Sequence, residues 1–167
     1  ERERGITIRS AVTGFHVGDL RINLVDTPGH PDFIAEVERA LGVLDGVVLV
    51  LSAVEGIQAQ TKVLMRTLQK LSMPTLFFVN KVDRMGARGP ELVAAMRLKL
   101  AENIVAMNQI DQIGSDRAIV VADALSERAF STEMADQIIT GDDRLMERLA
   151  EDREITFDHL TKSLADQ

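Results

Sequence analysis

Apolar and polar positions alternate at the start of the chain. Thr7 to Val17 and Leu20 to Asp26 read as two strands joined at Gly18-Asp19, a short turn of the hairpin sort. Thr13, Phe15 and Val17 share one face of the first strand, and Leu20, Ile22 and Leu24 share one face of the second. The period then lengthens: Asp32 suits the N-cap of a helix whose Phe33, Val37, Ala40, Leu41 and Leu44 form a core-facing stripe, and Asp45-Gly46 ends it. Val47 to Leu51 is a continuous aliphatic run of the kind buried on both faces of a parallel sheet. A helix is predicted from Gln58 to Leu71, with Val63, Leu64, Thr67, Leu68 and Leu71 packed and Met73-Pro74 closing it. Thr75 to Val79 is a second buried strand, finishing on Asn80-Lys81-Val82-Asp83. Pro90 fits a helix's first turn, and Val93, Met96 and Leu100 carry the period onward. This alternation of strand and helix predicts an α/β fold with parallel strands.

Beyond Leu100 the pattern is weaker. Short strands are expected at Ile104 to Met107 and Ala118 to Ala122, with a turn at Gly114-Ser115 between them. Short helices follow, Asp142 capping the one with Leu145, Met146 and Leu149, and Thr156 capping the one with Phe157, Leu160 and Leu164. Met65, Met73, Met96, Met107, Met134 and Met146 read as core filler, the charges between Asp142 and Asp158 as a solvated helical face, and His16 and His159 as surface or strand-face residues.

Composition narrows the class. At 167 residues, 46% apolar and 27% charged, the chain is one soluble globular domain's worth. It has no cysteine, so disulfide and thiol chemistry are excluded. A net charge of −7, from 19 basic and 26 acidic residues, argues against a broad grip on DNA or RNA by counterion release, while leaving local contact with an RNA surface open. The longest apolar run is too short to cross a bilayer, and no signal-peptide pattern opens the chain. Glu1 at the start and a helical pattern running to the end lead us to expect an internal piece of a longer protein.

The chemistry gathers at strand ends. In open parallel sheets ligands lie at the carboxyl ends of the strands. Two strands here end in Asp26-Thr27-Pro28-Gly29-His30 and Asn80-Lys81-Val82-Asp83, which predicts two polar tips pointing into one crevice. The first offers a carboxylate for a metal, a backbone amide and an ionisable side chain, a phosphate-handling set. In the second, the acceptor-only carboxylate of Asp83 can take two neighbouring N–H donors, a pair that guanine presents and adenine does not. Asn80 would tie that loop to the base, and the aliphatic stem of Lys81 can lie over a ring face. Singly, Asp-x-Pro-Gly is a common turn and Asn-Lys-x-Asp a short match; their joint occurrence, in order and each at a strand's end, is the signal.

These motifs, with Arg4-Gly5-Ile6-Thr7-Ile8 ahead of them, resemble the switch II, guanine-specificity and switch I sequences of translational GTPases. Leu51-Ser52-Ala53, Gly56-Ile57-Gln58-Ala59-Gln60-Thr61 and Pro74 to Lys81 are similar to the tetracycline-resistance ribosomal protection proteins, relatives of elongation factor G, with the oxytetracycline type nearest. The likeness is dense from Arg4 to about Gly86 and looser beyond. It implies a partial P-loop GTPase-type G domain, its core in residues 1–101 and a region like the family's insert in 102–167. It further implies that GTP or GDP and Mg²⁺ bind, with Thr7 and Asp26 holding the ion. The Gly29 amide would contact the γ-phosphate, and Asn80, Lys81 and Asp83 would select guanine. His30 would orient the attacking water once ribosomal RNA has pushed it into place, with Ile6 part of an apolar gate before that. The implied setting is a cytoplasmic protein, monomeric at full length, whose partner is the ribosome and which releases tetracycline using GTP. Two alternatives stand beside this: an elongation factor G acting in translocation, against which Gln58-Ala59-Gln60-Thr61 weighs, and a nucleotide-free scaffold or interaction domain that has kept switch sequences without catalysis; apart from its flanking motifs, Thr7 reads as a β-former at a strand edge.

One part of the implied machinery has no counterpart in the sequence. No Lys follows a Gly, so the Gly-x-x-x-x-Gly-Lys-Ser/Thr loop that cradles phosphates is expected upstream of Glu1. The family's Ser-Ala guanine loop is likewise expected past Gln167. Without the phosphate-loop strand, the strands ending at Asp26 and beginning near Val47 are each expected to lack a neighbour, and the 167 residues alone to bind GTP weakly or not at all.

Overall fold

The computed structural model describes residues 11–27, 39–122 and 132–166. It divides into two compact units, Glu1–Val47 and Val48–Gln167. In the first, β1 (Ala11–Val17) and β2 (Leu20–Asp26) form the predicted antiparallel hairpin, with Thr13 opposite Leu24, Phe15 opposite Ile22 and Val17 opposite Leu20. That register puts the two predicted apolar rows on one face. Gly18 supplies the turn's positive φ of 58°. Residues 39–41 are helical and Leu41 is buried, whereas the predicted cap at Asp32 and the residues Phe33 and Val37 lie outside the described residues.

The second unit begins with a βαβ crossover. β3 (Val47–Ser52) and β4 (Thr75–Asn80) form one two-stranded sheet, and α1 (Ala59–Lys70) links them, which makes the pair parallel. The expectation that β3 is buried on both faces is corrected. Leu49 and Leu51 are buried, but Val48, Val50, Leu76 and Phe78 on the other face are each about half exposed. Helix α1 packs along part of the predicted stripe: Leu68 is buried and Leu64 and Thr67 are partly buried, as expected, but Met65 is buried as well, while Val63 and Leu71 are exposed. Leu71 is the C-cap residue and so falls outside the helical stripe.

Helix α2 (Pro90–Lys99) starts at Pro90 as expected, with Leu92 and Met96 buried. Two further strands, β5 (Asn108–Asp111) and β6 (Ile119–Ala122), pair antiparallel, Asn108 opposite Ala122. β5 therefore lies beyond the predicted Ile104 to Met107. Those residues have other work: Val105 packs on a helical core and the Ile104 carbonyl accepts from Arg97 Nε at 2.9 Å. Among the described residues β2 and β3 belong to different sheets, and each sheet holds two strands.

Three short helices follow: α3 (Thr132–Thr140), α4 (Asp143–Ala150) and α5 (Phe157–Asp166). Ile138, Leu145 and Leu160, one from each, form their core. Of the methionines read as filler, Met65 and Met96 are buried while Met146 is 46% exposed, which corrects that reading for Met146. His159 has a definite partner: its Nδ1 accepts from the Thr156 N–H at 3.1 Å and lies 2.9 Å from Thr156 Oγ1, closing the first turn of α5.

Asp142 caps α4 and is more than one more solvated charge. Its Oδ1 accepts from the Arg144 N–H at 2.9 Å, and the Arg144 guanidinium grips both carboxylate oxygens at 3.2 and 3.1 Å while reaching Asp166 Oδ2 at 3.4 Å. Arg144 holds the Asp142 carboxyl down to about 2, from an ordinary 3.8. The folded-state value lies below the unfolded one, so the stabilisation is complete above about pH 4 and disappears as pH falls toward 2. Asp142→Ala is expected to cost about 1–2 kcal/mol near neutral pH. In denaturant titrations the gap from the parent should narrow as pH falls from about 4 to about 2; a gap that stays constant would mean the cap works through shape alone.

Candidate functional site

The carboxyl ends of β3 and β4 carry two loops that lock together. In the first, the Ser52 hydroxyl oxygen accepts from the N–H groups of Val54 and Glu55, each at 3.2 Å, and the Gly56 N–H donates to the Ser52 carbonyl at 2.8 Å. A serine at the last position of β3 thus turns the chain locally. The second loop holds the first in place. The Ala53 N–H donates to the Asn80 carbonyl at 2.8 Å, the Arg88 N–H to the Ala53 carbonyl at 3.0 Å, and Arg88 Nη2 to the Val54 carbonyl at 3.1 Å.

Lys81 stands just past the tip of β4 with φ of 61°, a left-handed conformation uncommon for a residue with a side chain. Its N–H is taken by Asn80 Oδ1 at 2.8 Å, so asparagine at 80 supports the strained residue after it. Its ammonium reaches Glu55 Oε1 at 3.0 Å. That contact holds the Glu55 carboxyl below its ordinary 4.5. Ser52, Glu55, Gly56, Thr61, Asn80 and Lys81 line a cavity of about 300 Å³ at these strand ends.

Of the residues expected to read a base, Asn80 and Lys81 share this cavity and Asp83 lies two residues further along the same loop. Asp83 is exposed and its Oδ2 sits 3.6 Å from Arg84 Nε. The loop is anchored from the far side by the Gly114 N–H, which donates to the Val82 carbonyl at 2.8 Å. Asp26 ends β2, paired with Ala11, in the other unit. Ile6, Thr7, Gly29 and His30 lie outside the described residues. No group of three or more His, Asp or Glu side chains suited to a metal occurs among the described residues. A Mg²⁺ ion shared with nucleotide phosphates uses only one or two carboxylates, so the lone Asp26 at a strand tip suits that role. Sequence reasoning missed Glu55 and Arg88. The signal for the first was the Ser52-to-Gly56 spacing, which marks a fixed turn after a strand; the second has no local signal, since its partners are 34 and 35 residues away in the chain.

The chain matches the elongation factor Tu GTP binding domain family over residues 1–154. It belongs to that family. Its fold is accordingly that of a translational GTPase G domain, as the motifs implied. Within the family it is similar to the tetracycline resistance protein TetM of Streptomyces lividans, 48% identical over 165 residues, which is 99% of this chain and 25% of that protein. The oxytetracycline resistance protein of Streptomyces rimosus is 59% identical over 122 residues, 73% of this chain and 18% of that one. A crystal structure of a Thermus thermophilus protein matches with a TM-score of 0.77 and 25% identity, over 95% of this chain and 27% of its own. The chain thus spans a quarter or less of the length of these curated relatives. Among the described residues no helix is long and apolar enough to cross a membrane.

Proposed function

We propose that this chain is the nucleotide-handling part of a ribosome-stimulated GTPase that protects ribosomes from tetracycline. The reading is supported above all by the loop of Asn80 to Asp83, held in a strained, hydrogen-bonded form beside a cavity at the carboxyl end of a parallel strand. The names of the relatives supply the tetracycline part. In this reading Asp83 accepts the two neighbouring N–H donors of guanine, Asn80 ties the loop to the base, and the Lys81 stem covers a ring face. Asp26 and Thr7 would hold Mg²⁺, which would supply charge neutralisation at the phosphates when bound. The Gly29 amide donates to the γ-phosphate, Ile6 gates His30, and neutral His30 orients the water that attacks. Phosphoryl transfer depends on positioning and charge stabilisation, so an aligned imidazole supplied by a ribosome-induced movement is enough to switch the rate. In this reading the protein acts as a monomer in the cytoplasm.

The test uses the full-length protein with ribosomes. GTP hydrolysis should rise with added ribosomes, and translation inhibited by tetracycline should recover when GTP is present. His30→Ala should lower the ribosome-stimulated kcat about 100-fold or more, with GTP affinity changed little. Ribosome-stimulated hydrolysis without recovery from tetracycline would assign the protein to translocation instead. Absence of any guanine nucleotide binding would leave a scaffold.

A further inference from the structure

We infer that Glu55 is a positioning residue for Lys81, setting the lysine stem against the base before the nucleotide arrives. The inference rests on the guanine reading of the Asn80 loop and adds to it a residue from a different loop. Glu55 does not sit on a free surface segment. Its own N–H is bound by Ser52 Oγ, the residue before it has its carbonyl held by Arg88, and the glycine after it is bridged back to Ser52. A backbone fixed on both sides presents its carboxylate in one place. That place is 3.0 Å from the Lys81 ammonium, on a residue whose left-handed backbone is itself held by Asn80.

The consequence is a difference in ordering cost. A free lysine loses close to its full side-chain freedom when it is fixed over a ring. A lysine whose head is already held by a carboxylate on a rigid loop has lost part of that freedom before binding, and the ring face meets a stem in place. Both partners are close to half exposed, 49% and 43%, so the ion pair is a surface one and the effect is modest. The charge balance also matters. Lys81 paired with Glu55 presents its methylenes to the base and its charge to the carboxylate, which suits a neutral purine ring.

The test is a double-mutant cycle on nucleotide affinity in the full-length protein, with GDP as the probe. Glu55→Gln keeps size and polarity but removes the charge, and is expected to weaken GDP about three- to fivefold, mainly through faster release. Lys81→Met keeps the stem and removes the ammonium; in that background Glu55→Gln should change GDP affinity by less than about 1.5-fold. Glu55→Asp, which retains the carboxylate, should recover part of the loss. Equal effects of Glu55→Gln with Lys81 and with Met at that position would overturn the inference, as would tighter GDP binding by Glu55→Gln. If the parent protein itself fails to bind GDP, the guanine reading is what falls. Amide exchange at Val54 and Gly56 should be unchanged in Glu55→Gln, which separates a lost charge from a damaged loop.

Discussion

Asp83→Asn in the full-length protein is expected to weaken GDP at least about 100-fold and to admit xanthosine diphosphate in its place. On the proposed reading, the Asp83 carboxylate accepts two N–H groups from the guanine edge, each a charge-assisted bond of about 1.5–3 kcal/mol. An asparagine keeps one acceptor and turns the other position into a donor. That donor then faces the 2-amino donor of guanine, leaving two groups unsatisfied at about 1–3 kcal/mol each. Xanthine carries a carbonyl at the same place and accepts from the amide. Among the described residues, the contact that Asp83 makes does not hold it away from this role. Its contact with Arg84 is 3.6 Å long and solvent-exposed, a surface pair worth about 0–1 kcal/mol. Displacement of a fluorescent guanine nucleotide by the two diphosphates reads the exchange. Loss of both nucleotides together would point to a damaged loop, and an unchanged preference for guanine would remove Asp83 from base recognition.

The placement of the candidate base-reading residues at a strand's end was legible in the sequence because it is local. Asn80, Lys81 and Asp83 lie within four consecutive positions at the end of a run, Thr75 to Val79, whose aliphatic and aromatic character marks a strand without help from elsewhere. The hairpin register followed from Gly18-Asp19 for the same reason, and Asp142 from its place before an amphipathic octet. What escaped was set at long range. Residues Ile104 to Met107 look like a strand, but Val105 is drawn into the core of Ile138, Leu145 and Leu160, and pairing with Ile119–Ala122 selects the more polar Asn108–Asp111 instead. The stripe of α1 is right at Leu64, Thr67 and Leu68 and wrong at its edge, where Met65, next to Leu68 on the helix surface, is buried and Val63 is exposed. Glu55 was passed over because its role depends on Lys81, 26 residues later.

Gly56→Ala is expected to loosen the loop that carries Glu55, because two costs coincide at this glycine. Its φ is 72°, where an alanine pays about 1–2 kcal/mol for its Cβ against the following carbonyl. A Cβ built there also falls against Arg88 Nη2, inside contact distance. Arginine is flexible at that end and can withdraw, but withdrawal breaks its 3.1 Å bond to the Val54 carbonyl, about 1 kcal/mol more. The sum, about 2–3 kcal/mol, is a factor of about 30–150 in local opening. Native-state hydrogen exchange reads it directly at the amides of Ala53, Gly56 and Arg88, whose bonds tie the two loops. Gly86 is the internal control: its φ is 85°, and nothing lies within 4 Å of its added Cβ. Gly86→Ala should therefore show only the backbone cost. Adding Arg88→Ala to Gly56→Ala should leave opening almost unchanged, since the bond to Val54 is already lost, whereas Arg88→Ala alone should speed it about fivefold. Equal exchange in Gly56→Ala and Gly86→Ala would show that Arg88 does not clamp this loop, and the rigid placement of Glu55 would then need another source.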